Sequence, residues 1–342
     1  MMHRRILACA AATSLMLLAL AGIALAQTPA EFYKGKNVTL QVGFGPGGDD
    51  DLWARIISKH MGRHIPGNPT IVPQNFPGAA GLLVVNRLYN ATPKDGSVFG
   101  MINRGISFEP LLGGEGTMFD VSKLNWIGSP NRDTTVCGAR KDAQVKNIQD
   151  LFSKDLKVGG TGSGADTAIY PEFLSKLLGM HFVLVKGYSG SHEIQLAMER
   201  DEVQSICLAY DSFSRSTLFK QNQLNVLLQA SLEPDPRLKG VPSPLESAHT
   251  TEERQALQLF FSHAAIGRPF VAPPDVPADR LAALRQAFEE TLRDPAFLEE
   301  AKIQNLNVTL ITSQQIGDII AAAYRTPPEV VKRTKSALGR TK

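Results

Sequence analysis

The stretch Val38-Thr39-Leu40-Gln41-Val42-Gly43-Phe44-Gly45-Pro46-Gly47-Gly48-Asp49-Asp50-Asp51-Leu52-Trp53 decides how the chain is read. A β-branched run ends in a glycine loop. Beyond the loop, Leu52 and Ile56 recur at helical spacing, with Trp53 and Ile57 beside them. That is a strand, a tight joint and a helix. The unit repeats with a strand over 70–75, a helix over 81–89 carrying Leu82, Val85 and Leu88 on one stripe, and a strand over 98–102. Strands alternating with helices argue a parallel sheet with helices packed on its faces.

The pattern then restarts. Strands are expected over 134–137, 156–159, 182–185, 204–208 and 225–229, with helices over 165–178 and 191–199. After Pro234, Pro236, Pro242 and Pro244, a strand is expected over 265–271. Pro277 then opens a long helix with Leu281, Leu284, Phe288 and Leu292 on one face, and another helix is expected over 316–324. Two such α/β blocks with a tail imply two lobes facing each other across a cleft.

Composition agrees with a globular chain. Its 342 residues suffice for about two domains, and 43% are hydrophobic and 20% charged, with 29 Gly and 21 Pro. This excludes disordered, collagenous and disulfide-dense classes. The formal charge is +3. Without Arg4 and Arg5 it falls by two, to +1, so no electrostatic footprint for nucleic acid is present.

Those two arginines belong to an address. A positive start, an almost wholly apolar run over 6–21 and Ala24-Leu25-Ala26 make the three-part layout of a secretory signal peptide, with cleavage expected after Ala26. An uncleaved anchor is the alternative, though the apolar run lies near the lower limit for spanning a bilayer. The paired arginines also raise twin-arginine export, without a further motif. Cys9 lies inside the apolar run, which argues against a lipoprotein anchor. An exported chain keeps Cys137 and Cys207, both in strand-like runs. In an oxidising compartment a bridge between them is expected, with two buried thiols as the alternative. Neither cysteine has a histidine or cysteine at metal-ligand spacing.

Four strand-to-helix joints are rich in small residues: 44–51, 77–81, 159–166 and 187–191. The first N–H groups of a helix have no internal partner and carry the positive end of its dipole. Glycine lets another group approach those donors closely. Two joints per lobe, facing a cleft, would wrap a small anion with backbone donors. The plain alternative is that these glycines only make tight turns.

Enzyme motifs fit less well. Gly43-Phe44-Gly45-Pro46-Gly47-Gly48 matches the dinucleotide fingerprint G-x-G-x-x-G. However, Asp49, Asp50 and Asp51 put negative charge where a pyrophosphate would lie, Pro46 removes a donor, and strand 70–75 ends in Gln74-Asn75 without the expected acid. Gly187-Tyr188-Ser189-Gly190-Ser191 lacks the last glycine of a nucleophile elbow. The histidines show no regular metal spacing. His192 follows a glycine joint and lies within reach of a cleft, although a place in a helix's first turn explains it as well. No catalytic group, metal or cofactor is expected.

The residues resemble a known family. The runs Tyr33-Lys34-Gly35-Lys36, 42–48, 51–55, Gln74 to Gly81 and Ala91-Thr92-Pro93-Lys94-Asp95-Gly96 look like the Bug proteins. So do 159–165, 187–190 and Val271-Ala272-Pro273-Pro274-Asp275-Val276-Pro277. Bug proteins are the extracytoplasmic solute receptors of tripartite tricarboxylate transporters. No single motif is decisive, but their order covers nearly the whole mature chain.

The resemblance implies an α/β periplasmic binding protein of the two-lobe, type II Venus-flytrap kind. Residues 29–128 and 229–342 would form lobe 1 and 129–228 lobe 2. It implies a monomer that takes a small carboxylate and passes it to membrane permease subunits. The first lobe would bind through Phe44, Gly45, Gly48, Asp49, Ala79 and Ala80, the second through Thr161, Gly162, Ser163, Tyr188 and Asp211. Family members usually carry small or neutral residues where Asp49 and Asp50 stand. Two explanations remain open: helix capping with dipole complementation, Asp51 being at or near the cap, or an acid that meets a cationic part of the ligand or weakens carboxylate binding. Arg104 is a candidate partner for a carboxylate, with a solvated surface arginine as its alternative. A sensory or accessory protein of the same fold, and an exported enzyme, stay open as other readings. Backbone donors leave little side-chain signature, so the ligand itself is not named.

Overall fold

The computed structural model describes residues 27–162, 164–188 and 190–340. The signal segment 1–26 therefore lies outside the described residues. Two mixed sheets organise the chain. The first is built from β1 (Asn37–Val42), β2 (Thr70–Asn75), β3 (Val98–Met101), β4 (Asn125–Ser129), β10 (Phe270–Ala272) and β11 (Ile311–Thr312), in the order β11-β4-β10-β3-β1-β2. The second takes β5 (Thr135–Arg140), β6 (Leu156–Gly160), β7 (Phe182–Lys186), β8 (Ser205–Ala209) and β9 (Leu224–Ala230), in the order β7-β6-β8-β5-β9.

Parallel pairing holds where helices intervene, in β1–β2, β1–β3, β6–β7 and β6–β8. The remaining ladders run antiparallel, so neither sheet is the purely parallel one that alternation alone suggests. The returning strands are the reason. The chain leaves the first sheet after β4 and comes back through β10, which runs against both β3 and β4. Strand β9 belongs wholly to the second sheet, so the expected boundary between 228 and 229 falls inside it.

Each sheet is covered on both faces. Val38, Leu40 and Val42 of β1 are fully buried, with Trp53 and Ile57 of the helix Asp49–Met61 and Leu284 and Phe288 of the helix Ala278–Thr291 in the same core. The helices Leu82–Asn90 and Ser313–Tyr324 share a second core with β3 and β4 residues. In the second sheet, the helices Asp166–Leu178 and Thr251–Ser262 pack with Val158 and Leu228, while Ser191–Glu199 and Tyr210–Arg215 share a core with Val136 and Ile206. Burying each of these large side chains contributes roughly 1.5–3 kcal/mol. Cys137 stands opposite Cys207 in the β5–β8 ladder, and the two form a disulfide. Among the described residues no helix is long and apolar enough to cross a membrane.

The expected strand over 265–271 is corrected to a 3-10 turn, His263–Ile266, followed by the short β10. Gly267 explains it. Its φ is +66°, and a Cβ there would lie 1.7 Å from the Asn131 carbonyl oxygen, so the chain turns sharply against the other crossing between the sheets.

Candidate ligand-binding site

All four glycine joints reach one cleft between the sheets. One half, of about 790 Å³, is lined by the first joint, by Thr161, Ala165 and Asp166 of the third, and by Gly190 and Ser191 of the fourth. The other half, of about 820 Å³, is lined by Pro77, Gly78 and Ala79 of the second joint and by Gly162 and Tyr188. Phe44, Gly45, Asn103, Thr161, Ala165 and Asp166 line both halves, which makes the cleft continuous.

The first two joints are packed together by backbone. A Cβ on Gly43 would stand 2.6 Å from the Gly81 Cα, and Gly81 itself has φ +94°. Asp51 shapes the first joint. It is the third helical residue, and its Oδ2 accepts from Gly47 N at 2.9 Å and Arg55 Nε at 2.8 Å. Its Oδ1 accepts from Asn75 Nδ2, which also donates to the Phe44 carbonyl at 2.9 Å. Gly45, Gly48, Gly162 and Gly190 have open space where a Cβ would be, leaving their backbone approachable.

The other expected site residues divide clearly. Phe44, Gly45, Gly48, Asp49, Ala79, Arg104, Thr161, Gly162 and Tyr188 line the cleft. Ala80 is in the 3-10 turn Ala79–Gly81. Ser163 lies outside the described residues. Asp211, next to the lining residue Ser212, is buried, with Oδ1 accepting from Arg237 Nη1 at 2.6 Å. Burial and the nearby Asp133 raise its pKa against the pull of Arg237. Thr161 is held by Thr167, whose hydroxyl meets its amide at 3.0 Å and its own hydroxyl at 2.9 Å. His192 lines the first half.

Arg104 is no surface residue. It is 4% exposed, its Nη1 donates to Asp133 Oδ2 at 2.9 Å, and its Nη2 meets Thr135 Oγ1 at 2.9 Å and Asp166. Burial works against its charge, but Asp166 and Asp133 outweigh that and raise its pKa. Arg268, on the crossing that leads back to β10, shares Asp133 with it. Its Nη1 lies 2.8 Å from Asp133 Oδ2, its Nε 3.1 Å from Asp50 Oδ1 and its Nη2 3.7 Å from Asp49 Oδ2. Asp49 also meets Ser212, and Arg215 Nη2 at 2.5 Å, both from the second sheet's side of the cleft. Burial pushes Asp49 up, yet Arg268 and Arg215 hold its pKa below the ordinary value. Asp50 goes the other way. Burial, reinforced by Asp49 and Asp133, lifts it to about 6 despite Arg268 and Arg104.

Sequence reasoning missed Asp133, Asp166, Ser212, Arg215 and Arg268. Asp166 carried a signal, since it closes the third glycine joint. The others stand in no motif and reach the cleft only through tertiary contacts.

Two α/β lobes joined by two crossings, with helix N-termini and glycine loops around the gap between them, define a two-lobe periplasmic binding protein. The family model described as "Tripartite tricarboxylate transporter family receptor", TctC, matches residues 53–335, and the chain belongs to that family. A UPF0065 protein of Bordetella pertussis is 26% identical over 284 residues, covering 81% of this chain and 83% of that one. The periplasmic binding protein BugD has a similar structure, with a TM-score of 0.68 at 21% identity, over 89% of this chain and 98% of its own. MatC from Rhodopseudomonas palustris, solved with bound malate, gives 0.67 at 19% identity, over 89% and 99%. The family is one of transporter receptors, and the fold is that of solute-binding proteins.

Proposed function

We propose that this protein captures a small carboxylate-bearing solute in the inter-lobe cleft and delivers it to the membrane permease subunits of a tripartite tricarboxylate transporter. The observation that carries the reading is the arrival of four glycine joints, two from each lobe, at one continuous cleft. Two of them open directly into long helices, Asp49–Met61 and Asp166–Leu178, whose positive ends favour an anion. The malate in the related Rhodopseudomonas structure supports the ligand class.

In this reading Phe44, Gly45, Gly48 and Ala79 receive the solute from lobe 1, and Thr161, Gly162 and Tyr188 close over it from lobe 2. Residues 130–134 and the segment before β10 act as the hinge between them. The protein is exported with cleavage after Ala26 and works as a monomer. A thermal-shift screen of dicarboxylates, tricarboxylates, aromatic acids and amino acids tests it. A solute at 100 times its Kd stabilises the folded state by about 2.7 kcal/mol. A clear rise in Tm with at least one carboxylate is expected. Flat melting curves across the whole panel would overturn the reading.

A further inference from the structure

The cleft's own charges bear on what kind of carboxylate it takes. Four of the acids that line its first half, Asp49, Asp50, Asp133 and Asp166, share three guanidiniums. Arg268 is shared between Asp133, Asp50 and Asp49, Arg104 between Asp133 and Asp166, and Arg215 goes to Asp49. One carboxylate is in surplus.

Exposure singles out Asp50: Asp166 also has one guanidinium, Arg104, but its side chain is 18% exposed. Asp49 Oδ2 meets Ser212 and Arg215 Nη2, with Arg268 Nη2 3.7 Å away. Asp133 accepts from two arginines and its side chain is 1% exposed. Asp50 meets one guanidinium atom among the described residues, Arg268 Nε at 3.1 Å, and 29% of its side chain stays open on the cleft wall. Arg104, another lining residue with its side chain 5% exposed, keeps a buried Nε–H that has no acceptor among the described residues. A site with a surplus acid beside an unused donor and open glycine backbone suits a molecule bearing both signs of charge. A dianion would add two more negative charges to that surplus.

We propose that the solute carries a cationic nitrogen as well as its carboxylate, and that Asp50 receives the cation. This rests on the receptor reading above. The carboxylate end lies toward Gly45, Gly48 and the Arg104 Nε–H, and the ammonium end toward Asp50. The raised pKa of Asp50 fits an acid whose charge lacks a full partner. Asp49, Asp133, Arg104 and Arg268 surround it, while His192 and Glu193 line the same half of the cleft from the second lobe.

Isothermal titration of the purified protein with matched pairs tests the proposal: 4-aminobutyrate against butyrate, β-alanine against propionate, with succinate and malate alongside. At pH 7.5 an amino-carboxylate is expected to bind at least tenfold more tightly than its deaminated partner. Asp50→Asn is expected to abolish that difference, with butyrate and propionate binding at least as tightly as they do to the parent. On the unmodified protein the preference should also shrink at pH 5, where Asp50 holds a proton, which keeps the test independent of how the variant folds. Succinate or malate binding as tightly as every amino-carboxylate, or an unchanged preference in Asp50→Asn, overturns this inference and leaves the receptor reading standing. No binding by any of the six overturns this inference, and the receptor reading falls with it only if the wider thermal-shift panel is flat as well.

Discussion

Asp133 Oδ2 lies 2.8 Å from Arg268 Nη1, and the two residues sit on the two separate stretches of chain that cross between the sheets. The same stretches are tied again by backbone: Asp133 N donates to the Ala264 carbonyl at 3.3 Å, and Arg268 N donates to Ser129 Oγ at 2.9 Å. The second arginine on Asp133, Arg104, extends the link to Asp166 at the start of a lobe 2 helix. Arg268 extends it to Asp49 and Asp50 at the start of a lobe 1 helix. Both lobes' ligand-facing helix ends are thus fastened to one buried carboxylate.

Asp133→Ala removes that carboxylate and leaves two buried guanidiniums short of a partner. Breaking a buried pair on one side costs about 3–5 kcal/mol. For a chain of this size that lowers Tm by roughly 10 °C. Differential scanning calorimetry measures it, and a loss below about 1 kcal/mol would contradict the buried-anchor role.

Arg215 spans the cleft twice, to Asp49 at 2.5 Å and to the Asn305 carbonyl at 3.2 Å. Arg215→Ala is expected to cost little stability, about 1 kcal/mol or less for a partly exposed pair. Its effect should appear as opening. Small-angle scattering of the ligand-free variant should give a larger radius of gyration than the parent, and equal radii would show that this contact does not hold the lobes together.

Asp50 gives a pH signature of its own. Its folded pKa of about 6 stands above the ordinary 3.8, so the folded state holds the proton more tightly. Its contribution to stability is therefore greatest below about pH 4, is lost as pH rises to 6, and stays lost above that. Asp50→Asn lacks this dependence. Relative to the parent, the variant should gain about 2 kcal/mol between pH 4 and pH 7 in urea unfolding. A difference that stays flat, or falls, across that range would refute it.

The Cys137–Cys207 disulfide closes a loop with a sequence separation of 70. The chain-entropy model assigns such a loop about 4 kcal/mol. Cys137→Ala with Cys207→Ala should lower the denaturation midpoint accordingly, and a reducing agent should destabilise the parent but not the double variant. Equal sensitivity of both proteins would remove the disulfide from the account.

Much of the fold was legible because its signals are local. The run 38–42 is β1, and the apolar spacing of Trp53, Ile56 and Ile57 is the helix Asp49–Met61. The helix Thr251–Ser262 was missed, although Thr250 and Glu253 form its capping box, because proline punctuation dominated the region before it. Strand β11 has two residues and no pattern to read. In the site, glycine joints announce themselves, while the helix cap is Gly48 and Asp51 braces the joint from the third helical position by accepting from Gly47 N. Asp133 and Arg268 do not, since their meaning depends on a contact between residues 135 positions apart. Asp211 illustrates the converse. The family resemblance offers it as a ligand-facing residue, and no local signal announces that Arg237, 26 positions on, pairs with its buried carboxylate.

The central claim is that backbone at the mouths of helices in both lobes receives the solute. Amide NMR of the protein, titrated with the best-binding carboxylate from the thermal-shift panel, tests it most directly. The account predicts that the largest shifts fall together on Gly45, Gly48, Ala79, Thr161, Gly162 and Tyr188. Saturable binding that leaves these six amides unmoved, with the large shifts on an outer face of either lobe, would contradict it.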